Sequence, residues 1–249
     1  MTELNNKIAL VTGGSRGLGK GIVEALSAAG ARVTTIARDS EQLAMLKREV
    51  AGVQTVAADA SDSQVASQLI KEVRPDILVL NAGAIPIMGP IQELSWEQFG
   101  TVWENDVKST FNFGKEALLA PLAPGSTVVI VSSGAAFGGS PLSGSYAGAK
   151  RMQWLLAQYF QQESANLKLG IRFVTIVPKQ IVGATRLGHK AVVTYAASQG
   201  ISEQAFLDRF GPALTPEKVG SEVVALITGQ AYQDGLAFGL SSQGLDLLN

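Results

Sequence analysis

Short apolar runs alternate with amphipathic stretches along the first eighty residues, the rhythm of βαβ units wound around a parallel sheet. Four strands are predicted there: Lys7–Val11, a continuous apolar run that ends in glycines; β-branched Arg32–Ala37; Val53–Ala57; and Ile77–Leu80, which follows a Pro75-Asp76 turn signal. Two clear helices lie between them, Lys20–Ala29, stopped by Gly30, and Asp62–Val73. Ser95, with Gln98 three residues on, forms a capping box for a further helix whose pattern runs as far as Leu119 and ends before Pro121 and Pro124. Thr127–Val131 is a fifth strand, Tyr146–Leu167 a long helix, and Ile171–Val177 a sixth strand stopped by Pro178. Thr215-Pro216-Glu217 opens the last helix, and Leu236–Leu240 adds a short strand.

The pattern specifies an α/β fold with a mainly parallel, doubly wound sheet and helices on both faces. Neither repeats nor a linker divide the chain, so residues 1–249 are expected to form one domain. Residues 183–211 break the rhythm with helical patches and no strand, and are expected to act as a substrate lid.

Composition narrows the function. A net charge of -1 with 16% charged residues leaves no basic footprint for nucleic acid or anionic lipid. No apolar run reaches the roughly 20 residues that cross a bilayer, and Met1 to Lys7 is polar, so a cytoplasmic location is expected. With zero cysteines and one histidine, His189, neither thiolate chemistry nor a metal site is expected.

Thr12 to Gly19 (TGGSRGLG) lies between the first strand and first helix, where backbone amides and the helix dipole face outward together and favour a pyrophosphate. The second strand ends Ile36-Ala37-Arg38-Asp39. Arg16 and Arg38 can fork onto a 2'-phosphate, which favours NADP(H). Asp39 competes, either as a ribose-binding acid or as a cap for the helix that follows. Tyr146 and Lys150, four apart at a helix start, share one face, and a nearby ammonium and a cationic nicotinamide ring both favour the phenolate. Ser133 lies at the carboxyl end of the fifth strand, where open α/β sheets bind ligands, and its hydroxyl can hold a substrate oxygen. Taken singly, each has a plainer reading: a strand-to-helix turn, a solvated helix pair, or a cap.

In combination and order, these residues resemble the short-chain dehydrogenase/reductase family. The resemblance covers about Lys7 to Val177 and adds Asp59 after the third strand, Asn81-Ala82-Gly83 after the fourth, Asn105 in a helix, and the spacing of Ser133 to Tyr146-Ala147-Gly148-Ala149-Lys150. It implies a single-domain Rossmann fold and an NADP-dependent oxidoreductase that moves a hydride between nicotinamide and a carbonyl or alcohol. It implies cofactor contacts from Gly13, Ser15, Arg16, Gly17, Leu18, Gly19, Arg38, Asp59, Ala60, Asn81, Ala82, Gly83, Tyr146, Lys150 and Pro178. In the family's NAD-preferring members the discriminating acid falls at Ala37. Asn105 would hold a water relaying protons to Lys150, and Ser133, Tyr146 and Lys150 would complete the catalytic set. A homodimer or homotetramer built on the helices beginning near Ser95 and Ser145 is also implied.

The chain departs from the family where Pro-Gly is usual after the sixth strand: it reads Pro178-Lys179, with Gly183 in place of the usual threonine and Thr185 two places late. Ala84, Ile85, Ile87, Met88, Phe137 and Leu142 are the expected pocket residues and suggest a compact apolar ketone or alcohol. Lys179, Arg186 and His189 are read either as grips for an anionic substrate or as a solvated lid face. Trp96, Trp103 and Trp154 are expected in core or subunit packing. The alternative from another class is a catalytically silent NADP-binding sensor, whose usual signature, loss of the tyrosine or lysine, is absent.

Overall fold

The computed structural model describes residues 3–248. An eight-stranded sheet runs in the order β3-β2-β1-β4-β5-β6-β7-β8. Its strands are β1 (Ile8–Thr12), β2 (Arg32–Ala37), β3 (Gln54–Ala57), β4 (Ile77–Leu80), β5 (Thr127–Val131), β6 (Arg172–Pro178), β7 (Ala237–Ser241) and β8 (Gly244–Leu247). All pairings are parallel except β7 with β8. The seven expected strands form as the apolar runs indicate, and β8 is an addition.

The central strands are buried on both faces, so successive side chains enter opposite layers. On β1, Ala9 and Val11 join Ile22, Val23 and Leu26 of α1 (Gly17–Ala28) and Val223 and Leu226 of α9 (Pro216–Thr228). Leu10, between them, joins Ile70 of α3 (Ser63–Val73), Phe113 of α5 (Lys108–Leu119) and Phe160 of α6 (Tyr146–Asn166). Each such large side chain, fully buried, contributes about 1.5–3 kcal/mol.

Two elements go beyond the sequence reading. A third helix of the first half, α2 (Ser40–Glu49), anticipated only as the helix that Asp39 would cap, carries that cap: the Asp39 carboxylate accepts from the Gln42 amide. The helix expected from Ser95 to Leu119 does form with its capping box, as α4 (Trp96–Val102) followed by α5, but Trp103–Val107 between them is a π turn. Such bulges rephase the side chains that follow and concentrate at functional sites. Of the three tryptophans, Trp154 is in the core, whereas Trp96 and Trp103 are exposed.

Residues 183–211 hold α7 (Arg186–Ser198) and α8 (Glu203–Leu207), which pack on each other through Val192, Ala196 and Phe206. Tyr195 of α7 ties them to the body through a 2.6 Å hydrogen bond with Ser140. Among the described residues no helix is long and apolar enough to cross a membrane.

Candidate active site

Strand order reverses between β1 and β4, and a crevice opens there beyond the carboxyl ends of the strands. Thr12 joins the two: its Oγ1 donates to the Val79 carbonyl and accepts from the amides of Asn81 and Ala82, both at 3.0 Å. Asn81 Nδ2 donates to the carbonyls of Thr12 and Gly13. These bonds fix the glycine turn, in which Gly13 and Gly17 have φ of +72° and +55°. A Cβ on Gly19 would lie 2.2 Å from the Gly13 carbonyl oxygen, so only glycine fits that close backbone crossing.

Arg16, the residue before α1, makes no side-chain cap. The first-turn amides are thus left for an anion, as a pyrophosphate cradle requires. The cavity begins at this turn, has a volume of about 1160 Å³ and ends at Tyr146 and the α7 helix. Its wall includes Ser15, Leu18, Arg38, Ala60, Gly83 and Pro178. The cradle, the uncapped helix end and the long cavity together fit a dinucleotide.

At the far end of β2, Arg38 Nη1 donates to Asn105 Oδ1 at 3.2 Å and stands 3.7 Å from Asp59. Arg16 and Ser15 both donate to Gln42. Partial burial pushes the Asp59 carboxyl upward, but donation from the Ser61 amide and hydroxyl, together with Arg38, outweighs it and holds the group below the usual carboxylate value. Asp39 caps α2 through one carboxylate oxygen and also lines the cavity.

Tyr146 and Lys150 form the first turn of α6, with the Lys150 Nζ 5.6 Å from the phenol ring centre. Ser133 follows β5, caps a short helical turn by accepting from the Ala135 amide, and also acts on the Tyr146 hydroxyl. Three oxygens surround the Lys150 ammonium: Gln153 Oε1 at 2.9 Å and the Val131 carbonyl at 3.5 Å accept hydrogen bonds from it, and Asp106 Oδ2 at 3.0 Å forms an ion pair with it. Burial pulls Lys150 down, yet the Asp106 carboxylate and then Tyr146 outweigh it, and the lysine is raised above its ordinary value. For Tyr146, enclosure of the hydroxyl is the dominant influence and pushes the phenol up. Lys150 and Ser133 pull it down, Asp106 and Tyr195 push it up, and the net is upward. The lowering expected from the lysine alone is therefore overridden.

The structure corrects the role expected of Asn105. Its amide donates to the Thr101 carbonyl and its oxygen accepts from Arg38, so it is turned to the cofactor mouth and away from Lys150. The side chain at the lysine is Asp106, whose other oxygen accepts from the Ala84 amide at 2.7 Å. The sequence carried a signal for this: Val102, Asp106, Thr110, Phe113 and Ala117 recur at helical spacing, and all five are buried.

Of the expected pocket residues, Ala84, Ile85 and Met88 line the cavity. Ile87, Phe137 and Leu142 lie outside its wall; Phe137 is more than half exposed and packs edge-on against Trp154. The opposite wall, which the sequence reading missed, comes from Ser140, Ile181, Leu187, Ala191, Tyr195 and Phe206. Lys179 pairs with Asp246 of β8 at 2.6 Å and, like Arg186, lines the cavity, whereas His189 stands exposed near Glu203.

Residues 7–200 match the short chain dehydrogenase family. L-xylulose reductase of Bos taurus is 35% identical over 134 residues, covering 53% of this chain and 54% of its own. Carbonyl reductase [NADPH] 2 of Sus scrofa is 28% identical over 169 residues, covering 67% and 69%. The chain thus spans about half the length of the L-xylulose reductases it matches. Among solved structures, a variant actinorhodin polyketide ketoreductase with NADPH superposes with a TM-score of 0.82 at 23% identity, over 96% of this chain and 97% of its own. The 3-ketoacyl-(acyl-carrier-protein) reductase of Brucella melitensis, complexed with NADH, gives 0.76 at 20%, with the same coverage. From a family match over most of its length, and with relatives that are reductases, this chain belongs to the short chain dehydrogenase family.

Proposed function

We propose that this chain is an NADPH-dependent oxidoreductase acting on the carbonyl or alcohol carbon of a compact, mainly apolar substrate. The carrying observation is that Ser133, Tyr146 and Lys150 line the same cavity that starts at the glycine turn. A nicotinamide held there supplies the hydride in reduction and accepts it in oxidation. Gly13, Ser15, Gly17, Leu18 and Gly19 hold the pyrophosphate, with Asn81, Ala82 and Gly83 supporting the turn and Pro178 bounding the nicotinamide end. Asp59 and Ala60 serve the adenine. Tyr146 gives its proton to the substrate oxygen in reduction and takes it back in oxidation, while the Ser133 hydroxyl holds that oxygen in place. Lys150 supplies positive charge below the phenol. Residues 183–211 close over the substrate as a lid.

NADPH is favoured over NADH on charge. Arg38 and Arg16 flank the end of β2, Ala37 offers no acid for a ribose diol, and one oxygen of the Asp39 carboxylate is engaged in capping α2. To grip a 2'-phosphate, Arg38 exchanges its contacts with Asn105 and Asp59. The exposed Phe111, Leu119 and Tyr159 on α5 and α6 are consistent with a homo-oligomer built on those helices.

The test follows NADPH and NADH absorbance with purified protein over a panel of ketones, aldehydes and alcohols, alongside Tyr146→Phe. Wild type is expected to turn over NADPH with at least one carbonyl class, and Tyr146→Phe to lose about 10²–10⁴-fold in kcat while still binding nucleotide. A wild type that binds NADPH and never oxidises it across the panel would refute this reading in favour of a sensor.

A further inference from the structure

Behind Tyr146 lies a charged group that the functional reading does not use. Asp106 is 1% exposed and sits in the π turn, with one carboxylate oxygen fixed by the Ala84 amide and the other 3.0 Å from the Lys150 ammonium. The approach is tight, since a Cβ on Gly83 would come within 2.7 Å of that second oxygen. Gln153 completes the setting: it accepts from Lys150 and donates to Thr110 Oγ1 at 2.7 Å and to the Asp106 carbonyl. The groups acting on the phenol are Lys150 from α6, Asp106 from the π turn, Ser133 after β5 and Tyr195 from α7, of which only Lys150 and Asp106 carry charge. The asparagine expected to serve Lys150 is turned away, and a carboxylate one residue on occupies its place.

We propose that Asp106 is a positioning residue: by holding Lys150 in an internal ion pair, it keeps Tyr146 a protonated donor through the neutral and mildly alkaline range and so sets the site for carbonyl reduction. The inference rests on the reading of Tyr146 as the proton donor. An unopposed ammonium beside a phenol stabilises the phenolate, whereas an ammonium paired within 3.0 Å offers the phenolate much less. The three oxygens around Nζ, two accepting hydrogen bonds and one forming the ion pair, also draw the lysine toward β5 and the π turn.

Titration of tyrosinate absorbance in nucleotide-free protein tests this. Subtracting Tyr146→Phe isolates one phenol among four tyrosines. Wild-type Tyr146 is expected to ionise at or above its ordinary 10.0. In Asp106→Asn, measured against Asp106→Asn/Tyr146→Phe, it is expected to ionise at least about one pH unit lower, which is tenfold more phenolate at a fixed alkaline pH. The alkaline limb of carbonyl reduction should move down with it. A wild-type Tyr146 that ionises well below 10.0 overturns the proposal without any Asp106 variant having to fold, and so does an unshifted Asp106→Asn. The titration uses neither nucleotide nor substrate. If no carbonyl is reduced, the functional reading fails while the role of Asp106 in the proton affinity of Tyr146 is still decided.

Discussion

Replacing Lys150 by methionine strips the partner from a carboxylate that has almost no access to water. The two groups are 3.0 Å apart, with side-chain exposures of 7% and 1%. A solvent-exposed pair would contribute about 0–1 kcal/mol. A buried charge left alone costs about 3–5 kcal/mol, because its desolvation is no longer offset. At about 2.1 cal/mol/K per residue, a chain of 249 residues unfolds with roughly 0.5 kcal/mol/K of entropy, so the melting temperature should fall by about 6–10 °C. Methionine keeps the length of the lysine stem, and most of the loss is then electrostatic. Thermal unfolding followed by circular dichroism, without nucleotide, is the measurement, since a ligand bound only to the folded state adds its own stabilisation. Asp106→Asn in the Lys150→Met background should recover at least half of the loss, because the charge is gone while an acceptor for the Ala84 amide remains. Lys150 is raised above 10.5 in the folded state, so the stability that it contributes is complete below 10.5 and is lost as pH rises through the folded value. The gap between wild type and Lys150→Met should hold through neutral pH and narrow only in strong alkali. A fall of less than about 2 °C, well under what the lost partner implies, or an equal fall in the double variant, would refute a dry ion pair.

Two further outcomes bear on the cofactor. Arg38→Asp is expected to lower the ratio of kcat/KM for NADPH to that for NADH by at least about tenfold, the scale of one lost charge-assisted contact, and an unchanged ratio removes Arg38 from the phosphate site. Gly19→Ala places a methyl 2.2 Å from the Gly13 carbonyl oxygen, a backbone atom that cannot swing aside. Fluorescence titration should then show NADPH binding weakened at least about tenfold, one step of 1.4 kcal/mol, and wild-type affinity would mean that the turn relaxes at no cost.

The sheet was legible because its central strands are buried on both faces and therefore read as unbroken apolar runs, as β4 and β5 do. The α2 helix showed only through its candidate cap, Asp39, and not through apolar periodicity, because only Leu43 and Leu46 of its ten residues are buried. The π turn itself left no mark in the pattern, but the helical spacing of Val102, Asp106, Thr110, Phe113 and Ala117 puts Asp106, rather than Asn105, on the buried face. That single residue decides whether an amide or a carboxylate meets Lys150. The motif residues were legible for a different reason, since a glycine turn and a tyrosine and lysine one turn apart are fixed by local geometry. The cavity wall formed by α7 and α8 depends on how these helices fold back over the cavity, which is a tertiary matter that local spacing does not encode.

Two departures from expectation account for each other. Lysine replaces the usual glycine after Pro178, a change expected to disturb the nicotinamide end of the cleft, and β8 extends the sheet by a strand that the pattern had not shown. The Lys179 amide donates to Leu240 of β7, and the side chain runs over Gly239 to Asp246 of β8. Both members of that pair are more than a third exposed, so it contributes about 0–1 kcal/mol and does not explain the stability of the edge. Its consequence is direction. A long cation placed at the cavity wall is engaged by the neighbouring strand, and the backbone at Pro178 and Lys179 keeps its close approach to Gly134, whose Cβ would stand 3.2 Å from both. The extra strand supplies the carboxylate that lets a lysine take the place of a glycine with its charge turned toward the sheet edge.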